Sequence, residues 1–283
     1  MSGFRLMTHL VSHFPNRALS LRVAKAMIDG GASYLEIQFP FSDPSADGKL
    51  IQTACTQALS AGFTVEGGFD LLRELRSGTD LPIFVMSYAN LVYRRGVAAF
   101  VERAKRAGAT GLIVPDLMPG YDEGLFRAGA AAGLEVIPVV APTISDARLA
   151  EVAALGPHFV YAALRVGITG SYTEIGEENR RFLKRLVPIG AKVLAGFGIS
   201  SREQVEALAG EVHALVVGSA LVRIIIESAQ GVSRHAHVPS NGLGSAEMVG
   251  PGDAGESFDP AAIEPEALYK RIRDRVTGLT AAT

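Results

Sequence analysis

Apolar and polar positions fall into two alternating patterns almost to the end of the chain. Short β-branched and apolar runs at 6–11, 34–39, 83–87, 111–114, 135–140, 159–164, 192–196 and 214–217 have the length of strands. Between them, segments 18–29, 50–61, 65–76, 97–107, 121–131, 146–153, 177–186 and 202–209 carry apolar residues at helical spacing. Asp29-Gly30-Gly31-Ala32, Arg106-Ala107-Gly108-Ala109 and Ala132-Gly133 mark three helix-to-strand passages. A glycine there supplies the left-handed residue that ends a helix.

Eight strands alternating with helices predict a parallel sheet with crossover helices. Several of the runs are apolar on both faces, as expected of strands covered on both sides. A doubly wound open sheet is the competing arrangement. The count of eight and the polar loops after the strands favour a (β/α)8 TIM barrel of α/β class, a single domain over 1–283. Chemistry in such a barrel belongs in the loops that follow the strands.

Residues 229–260 break the pattern. They are rich in Gly, Ser, Pro and His without either periodicity, which predicts a flexible insertion. His235 and His237 within it have no companions to complete a metal ligand set, so a solvated loop is the expectation. Pro265 then opens a final helix, 266–276, with Leu268, Ile272 and Val276 on one stripe facing the barrel.

Composition narrows the class further. At 283 residues with 48% hydrophobic positions, the chain has enough apolar material for one large core. A net charge of -2 gives no reason to expect nucleic acid or an anionic membrane as partner. The lone Cys55 cannot form an internal disulfide, which fits a reducing compartment. Arg5 interrupts the first apolar run, unlike a secretory leader, and no stretch is long enough to span a bilayer. The expectation is a cytoplasmic protein.

The most informative segment is Leu35-Glu36-Ile37-Gln38-Phe39-Pro40-Phe41-Ser42-Asp43-Pro44-Ser45-Ala46-Asp47-Gly48. With Ile37 and Phe39 toward the helices, alternation sends Glu36 and Gln38 into the barrel. An enclosed carboxyl suits proton transfer near neutral pH. Pairing with an interior cation is its other use, but Arg5, Arg165 and Lys192 sit at strand edges. Asp43, beside proline, reads as a turn-shaping residue. Asp47, before Gly48 on a long loop over the mouth, is the second candidate for substrate contact.

Three glycine-bearing turns follow the last strands: Arg165-Val166-Gly167-Ile168-Thr169-Gly170, Ala195-Gly196-Phe197-Gly198-Ile199-Ser200 and Val217-Gly218-Ser219-Ala220. The last two lead into helices, whose free N–H groups and dipoles suit a phosphate. Phosphate sites in such barrels frequently lie after strands seven and eight.

These residues resemble the tryptophan synthase alpha chain family. The run Pro40–Pro44, the ending Ala46-Asp47-Gly48 and Glu36 upstream are similar to that family's hallmark. Tyr88-Ala89-Asn90-Leu91-Val92, Asp116, Ala141-Pro142-Thr143 and the three glycine turns add to the likeness, which spans roughly residues 5–228. The resemblance implies a lyase that cleaves indole-3-glycerol phosphate to indole and glyceraldehyde 3-phosphate in tryptophan biosynthesis. It implies Glu36 as general acid/base, Asp47 as holder of the indole N–H, and Tyr88, Tyr161 and Thr169 as substrate-binding residues. Gly170, Gly198, Gly218 and Ser219 are then the phosphate-binding residues. It also implies no cofactor and no metal in this chain. Pyridoxal phosphate belongs to a partner beta chain in an α2β2 complex, docked near Pro40, Pro44 and Asn90.

Departures from the family pattern are specific. The first loop reads Val11-Ser12-His13-Phe14-Pro15-Asn16 where a small residue, glycine and aspartate are usual. Gln38 stands where glycine is common, and an inward amide there must find a partner or occupy ligand space. The four residues ahead of Arg5 leave no room for the helix that usually precedes the first strand, and the 229–260 insertion is extra. Competing readings are a stand-alone indole-releasing lyase, a barrel that mainly binds and activates a beta chain, and another phosphosugar isomerase or aldolase. A Schiff-base aldolase needs an inward strand lysine, and none is offered.

Overall fold

The computed structural model describes residues 4–164, 175–196, 198–230 and 258–281. Among them are nine strand segments: β1 (Leu6–Val11), β2 (Tyr34–Gln38), β3 (Ile83–Met86), β4 (Gly111–Ile113), β5 (Glu135–Ile137), β6 (Val139–Val140), β7 (Phe159–Ala163), β8 (Lys192–Gly196) and β9 (Ala214–Val217). All pairings are parallel, in the order β5-β4-β3-β2-β1-β9-β8-β7-β6. The two end segments are consecutive in the chain, on either side of Pro138, so the sheet curls into a barrel. That excludes the doubly wound alternative.

All eight expected strands are present, the fifth in two pieces. Proline cannot donate to a ladder, and Pro138 divides the strand where its neighbour changes. β5 pairs with β4, and β6 pairs with β7. The Pro138 carbonyl still accepts the Tyr161 N–H at 2.9 Å. The Glu135 carboxylate accepts the Phe159 N–H at 2.8 Å.

Period-two alternation separates the apolar residues into two bodies. Leu35, Ile37, Phe39, Val85, Leu112, Val160 and Leu215 pack against the surrounding helices. Met7, Phe84, Met86, Ile113, Ile137, Phe159, Leu194 and Val216 fill the barrel. Tyr34, Phe84, Phe159 and His213 form a ring cluster near the N-terminal ends of the strands, with Phe159 centred 5.6 to 5.9 Å from the others. Tyr34 Oη and His213 Nε2 share a hydrogen bond of 2.7 Å across it.

Local chemistry sets the helix ends. Asn16 caps Arg17–Asp29 by accepting the Leu19 N–H, and Thr64 caps Val65–Arg76 by accepting the Gly67 N–H. The segment expected as helix 121–131 begins only at Leu125, after Gly124 in the left-handed region. A short helix Ala89–Arg95, absent from the periodicity, follows β3. The last helix is longer than expected, Pro265–Thr280, and buries Leu268, Ile272, Val276 and Leu279. It lies on Arg17–Asp29, where Thr277 and Thr280 hydroxyls donate to the Gly30 carbonyl at 3.3 and 3.2 Å.

Of the insertion read at 229–260, both margins are built into the fold. Helix Ser219–Ala229 takes in its start, and Pro260–Ala262 forms a 3-10 turn at its end. Phe258 stacks on Phe14 at 5.4 Å. Residues 231–257, with His235 and His237, lie outside the described residues. In the first loop, His13 adopts φ 65, a left-handed backbone that favours glycine. Its ring packs edge-on to Phe63 at 5.2 Å, and Nδ1 pairs with Ser12 Oγ at 2.9 Å.

Candidate active site

At the C-terminal ends of the strands lies a cavity of about 590 Å³, including its open mouth. Its wall includes His9, Glu36, Asp47, Met86, Ile113, Val139, Tyr161, Gly198, Gly218 and Ser219. Glu36 is 3% exposed and Asp47 5%. Both acids are therefore enclosed in the same space, as the strand alternation predicts for Glu36.

Asp47 lies on the loop that follows β2, as expected, but its side chain is buried rather than exposed over the mouth. It is drawn into the wall just ahead of helix Lys49–Ser60, with Gly48 as the N-cap. Tyr88 Oη and Gln38 Nε2 each donate to Asp47 Oδ2 at 2.8 Å. The Tyr88 hydroxyl also accepts the Ala46 N–H at 3.1 Å, which ties down the loop ahead of the aspartate. Burial raises the Asp47 pKa; His9 and the two hydrogen-bond donors pull against it, while Glu36 adds to it. Burial first, and then Asp47, push the Tyr88 phenol upward, so it stays a donor.

Gln38 thus has a partner and leaves the cavity free, with its Oε1 unpaired among the described residues. Cys55, 3.5 Å from Gln38 Nε2, is buried and its thiol is pushed up to about 12, which makes it packing rather than a nucleophile. Asp116 accepts the Ala89 N–H with both oxygens, at 3.0 and 3.2 Å. It caps helix Ala89–Arg95 and sets the backbone that carries Tyr88. Asp43 and Asn90 are exposed, whereas Pro40 and Pro44 are buried within the chain.

Further round the barrel, Gly198 has φ 94 and its carbonyl accepts Gln204 Nε2 at 3.0 Å. Gln204 Oε1 takes the N–H groups of Ser200 and Ser201 at 2.7 and 3.0 Å, which fixes the loop after β8. Gly218 is the N-cap of helix Ser219–Ala229, whose first N–H groups have no partner inside the helix. Tyr161 Oη lies so close to Gly196 that a Cβ there would meet it at 2.6 Å. Burial pushes the Tyr161 phenol well above its usual value, with Glu36 and Asp47 adding to the effect. Thr169 and Gly170 lie outside the described residues.

Sequence reasoning passed over His9. It lies in register with Glu36 on the neighbouring strand, and its Nδ1 is 3.5 Å from Glu36 Oε1. Alternation along β1 puts it on the inward face with Met7, which is the signal in the sequence that marks it. Among the described residues, no lysine lines the cavity and no cluster of His, Cys, Asp and Glu could hold a metal ion.

Fold and site together define a (β/α)8 barrel whose cavity holds two enclosed carboxylates and glycine-built turns at helix starts. The chain belongs to the tryptophan synthase alpha chain family, whose model matches residues 2–242. It is an enzyme of the lyase type. A tryptophan synthase alpha chain of Helicobacter hepaticus is 38% identical over 230 residues, covering 79% of this chain and 86% of the relative. A mutant alpha subunit from Pyrococcus furiosus superposes with a TM-score of 0.78 at 29% identity, covering 99% of each chain. A chain of the Pyrococcus furiosus tryptophan synthase complex gives 0.72 at 34% identity, over 79% of this chain and 90% of the other. No helix among the described residues is long and apolar enough to cross a membrane.

Proposed function

We propose that this chain cleaves indole-3-glycerol phosphate to indole and glyceraldehyde 3-phosphate as the alpha subunit of a tryptophan synthase. The observation that carries the reading is one cavity lined by Glu36, Asp47, Gly198, Gly218 and Ser219. Family membership supplies the substrate. A stand-alone lyase and a barrel that merely activates a partner are not favoured by it.

The bond to break joins the indole ring carbon to the first glycerol carbon. Protonating the ring carbon places positive charge on the ring, and removing the glycerol hydroxyl proton lets the carbonyl form as the bond cleaves. Glu36 serves as the acid/base. Asp47 receives the indole N–H and offsets the ring's positive charge, at a distance held by Tyr88 and Gln38. The phosphate rests on the N–H groups of Gly198, Gly218 and Ser219, with Tyr161 beside the substrate; the family resemblance adds Gly170 to the phosphate-binding residues and Thr169 to the substrate-binding ones. A beta chain holding pyridoxal phosphate is the partner, in an α2β2 assembly within the cytoplasm.

The test is indole release from indole-3-glycerol phosphate by the purified chain, with and without an added beta chain. Strong stimulation by the beta chain is expected. Good activity from the chain alone supports the stand-alone lyase instead. No release in either mixture removes the substrate assignment.

A further inference from the structure

We propose that His9 and Glu36 form an imidazole–carboxylate dyad in which His9 donates the proton to the ring carbon while Glu36 accepts the hydroxyl proton. This rests on the reaction proposed above and deepens it, because one carboxyl acting alone must perform the two transfers in turn.

The geometry supports the division. Nδ1 of His9 faces Glu36 Oε1 at 3.5 Å, so each group turns its second polar atom elsewhere. His9 Nε2 and Glu36 Oε2 are buried and have no hydrogen-bond partner among the described residues. Both residues line the cavity. Buried polar atoms are nearly always satisfied, so an orphaned donor and an orphaned acceptor on one cavity wall mark places for ligand atoms. The ring is held by Gly218, where an added Cβ would come within 3.1 to 3.2 Å of three His9 atoms.

Charge agrees with geometry. The titratable groups sharing this wall are Glu36 from β2, Asp47 from the following loop and Tyr161 from β7. β9 contributes Val216 to the wall and carries no charge there, and Gly218 follows it. Burial opposes a charged imidazole, but Glu36 and, less strongly, Asp47 outweigh it and raise the His9 pKa. The imidazolium is thus the form these two acids favour.

The step balances. His9 loses its Nε2 proton to the ring carbon, and Glu36 gains the hydroxyl proton as the carbon–carbon bond breaks. After product release the proton on Glu36 returns to His9 through solvent, restoring the starting pair.

The experiment compares the wild type with His9→Phe and His9→Gln, in the presence of the beta chain. Both variants are expected to lose about 10²-fold in kcat with KM changed less than about threefold. In wild type the alkaline limb of kcat against pH reports loss of the imidazolium, and both variants should lack it. An unchanged kcat and alkaline limb in the variants overturns the dyad. Should the wild type itself release no indole, the substrate assignment fails separately. The pair is then tested by nuclear magnetic resonance titration of labelled histidine. His9 should titrate above 6.5 in wild type and lower in Glu36→Gln. Titration at or below 6.5 in both overturns it.

Discussion

Gln38 Nε2 and Asp47 Oδ2 meet at 2.8 Å inside the barrel, so the amide that replaces a common glycine supports the second acid. Gln38→Met keeps the volume while removing both this donor and the orphaned Oε1. A lost bond to a charged group and a relieved unsatisfied acceptor are each about 1 to 3 kcal/mol, so stability should change little. Turnover should fall roughly tenfold. Without that donor the Asp47 carboxyl is raised further, so the acid limb of kcat against pH moves upward. An acid limb that stays in place removes Gln38 from this role.

Tyr88→Phe removes a donor to Asp47 and the acceptor of the Ala46 N–H together. Activity should drop by about 10- to 100-fold, the equivalent of one hydrogen bond to a charged group. Steady-state kinetics and a melting curve check it, and wild-type kinetics would show that the loop holds Asp47 unaided.

Asp47→Asn should abolish turnover while the fold persists. Its effect on stability depends on pH. Because the folded pKa is raised above 3.8, the folded state holds the proton more tightly, and stability falls as pH rises through that window. The variant lacks this loss and should be the more stable protein at neutral pH, with the advantage shrinking as pH falls through the folded pKa and gone below 3.8. His9 has the same sign: raised above 6.5, it adds stability below that pH that is lost as pH rises through its folded value. Urea unfolding across pH measures both, and a wild type more stable than Asp47→Asn at neutral pH contradicts the sign.

Gly30→Ala probes the seat of the last helix. A Cβ there would meet Val276 Cβ at 2.7 Å and the Arg273 carbonyl at 2.8 Å, a backbone atom that cannot swing aside. Stability should fall by about 1 to 3 kcal/mol with kcat intact. A melting temperature equal to wild type would mean that the helix is not held where it is described.

Much of this was legible along the chain, and the reasons are local. β2 shows its inward face because Leu35, Ile37 and Phe39 are apolar while Glu36 and Gln38 are not. The split at Pro138 was hidden inside one apolar run, since its cause is a change of neighbour. Helix Ala89–Arg95 is too short for a periodic signal and depends on a cap from Asp116, distant in sequence. The His9–Glu36 pairing is a matter of register between parallel strands, which hydrophobic pattern alone does not specify. Asp47 read as a lid residue because nothing near it in sequence announces the Tyr88 hydroxyl that draws it inward.

The break at Pro138 makes the barrel a hoop with a clasp. Val139, just past that break, pairs in register with Tyr161 of β7, and both also line the cavity. A molecule seated against both acts as a rivet, because peeling β6 from β7 requires abandoning it. Occupancy of the site should therefore register in the backbone as slower hydrogen exchange at the Tyr161 amide.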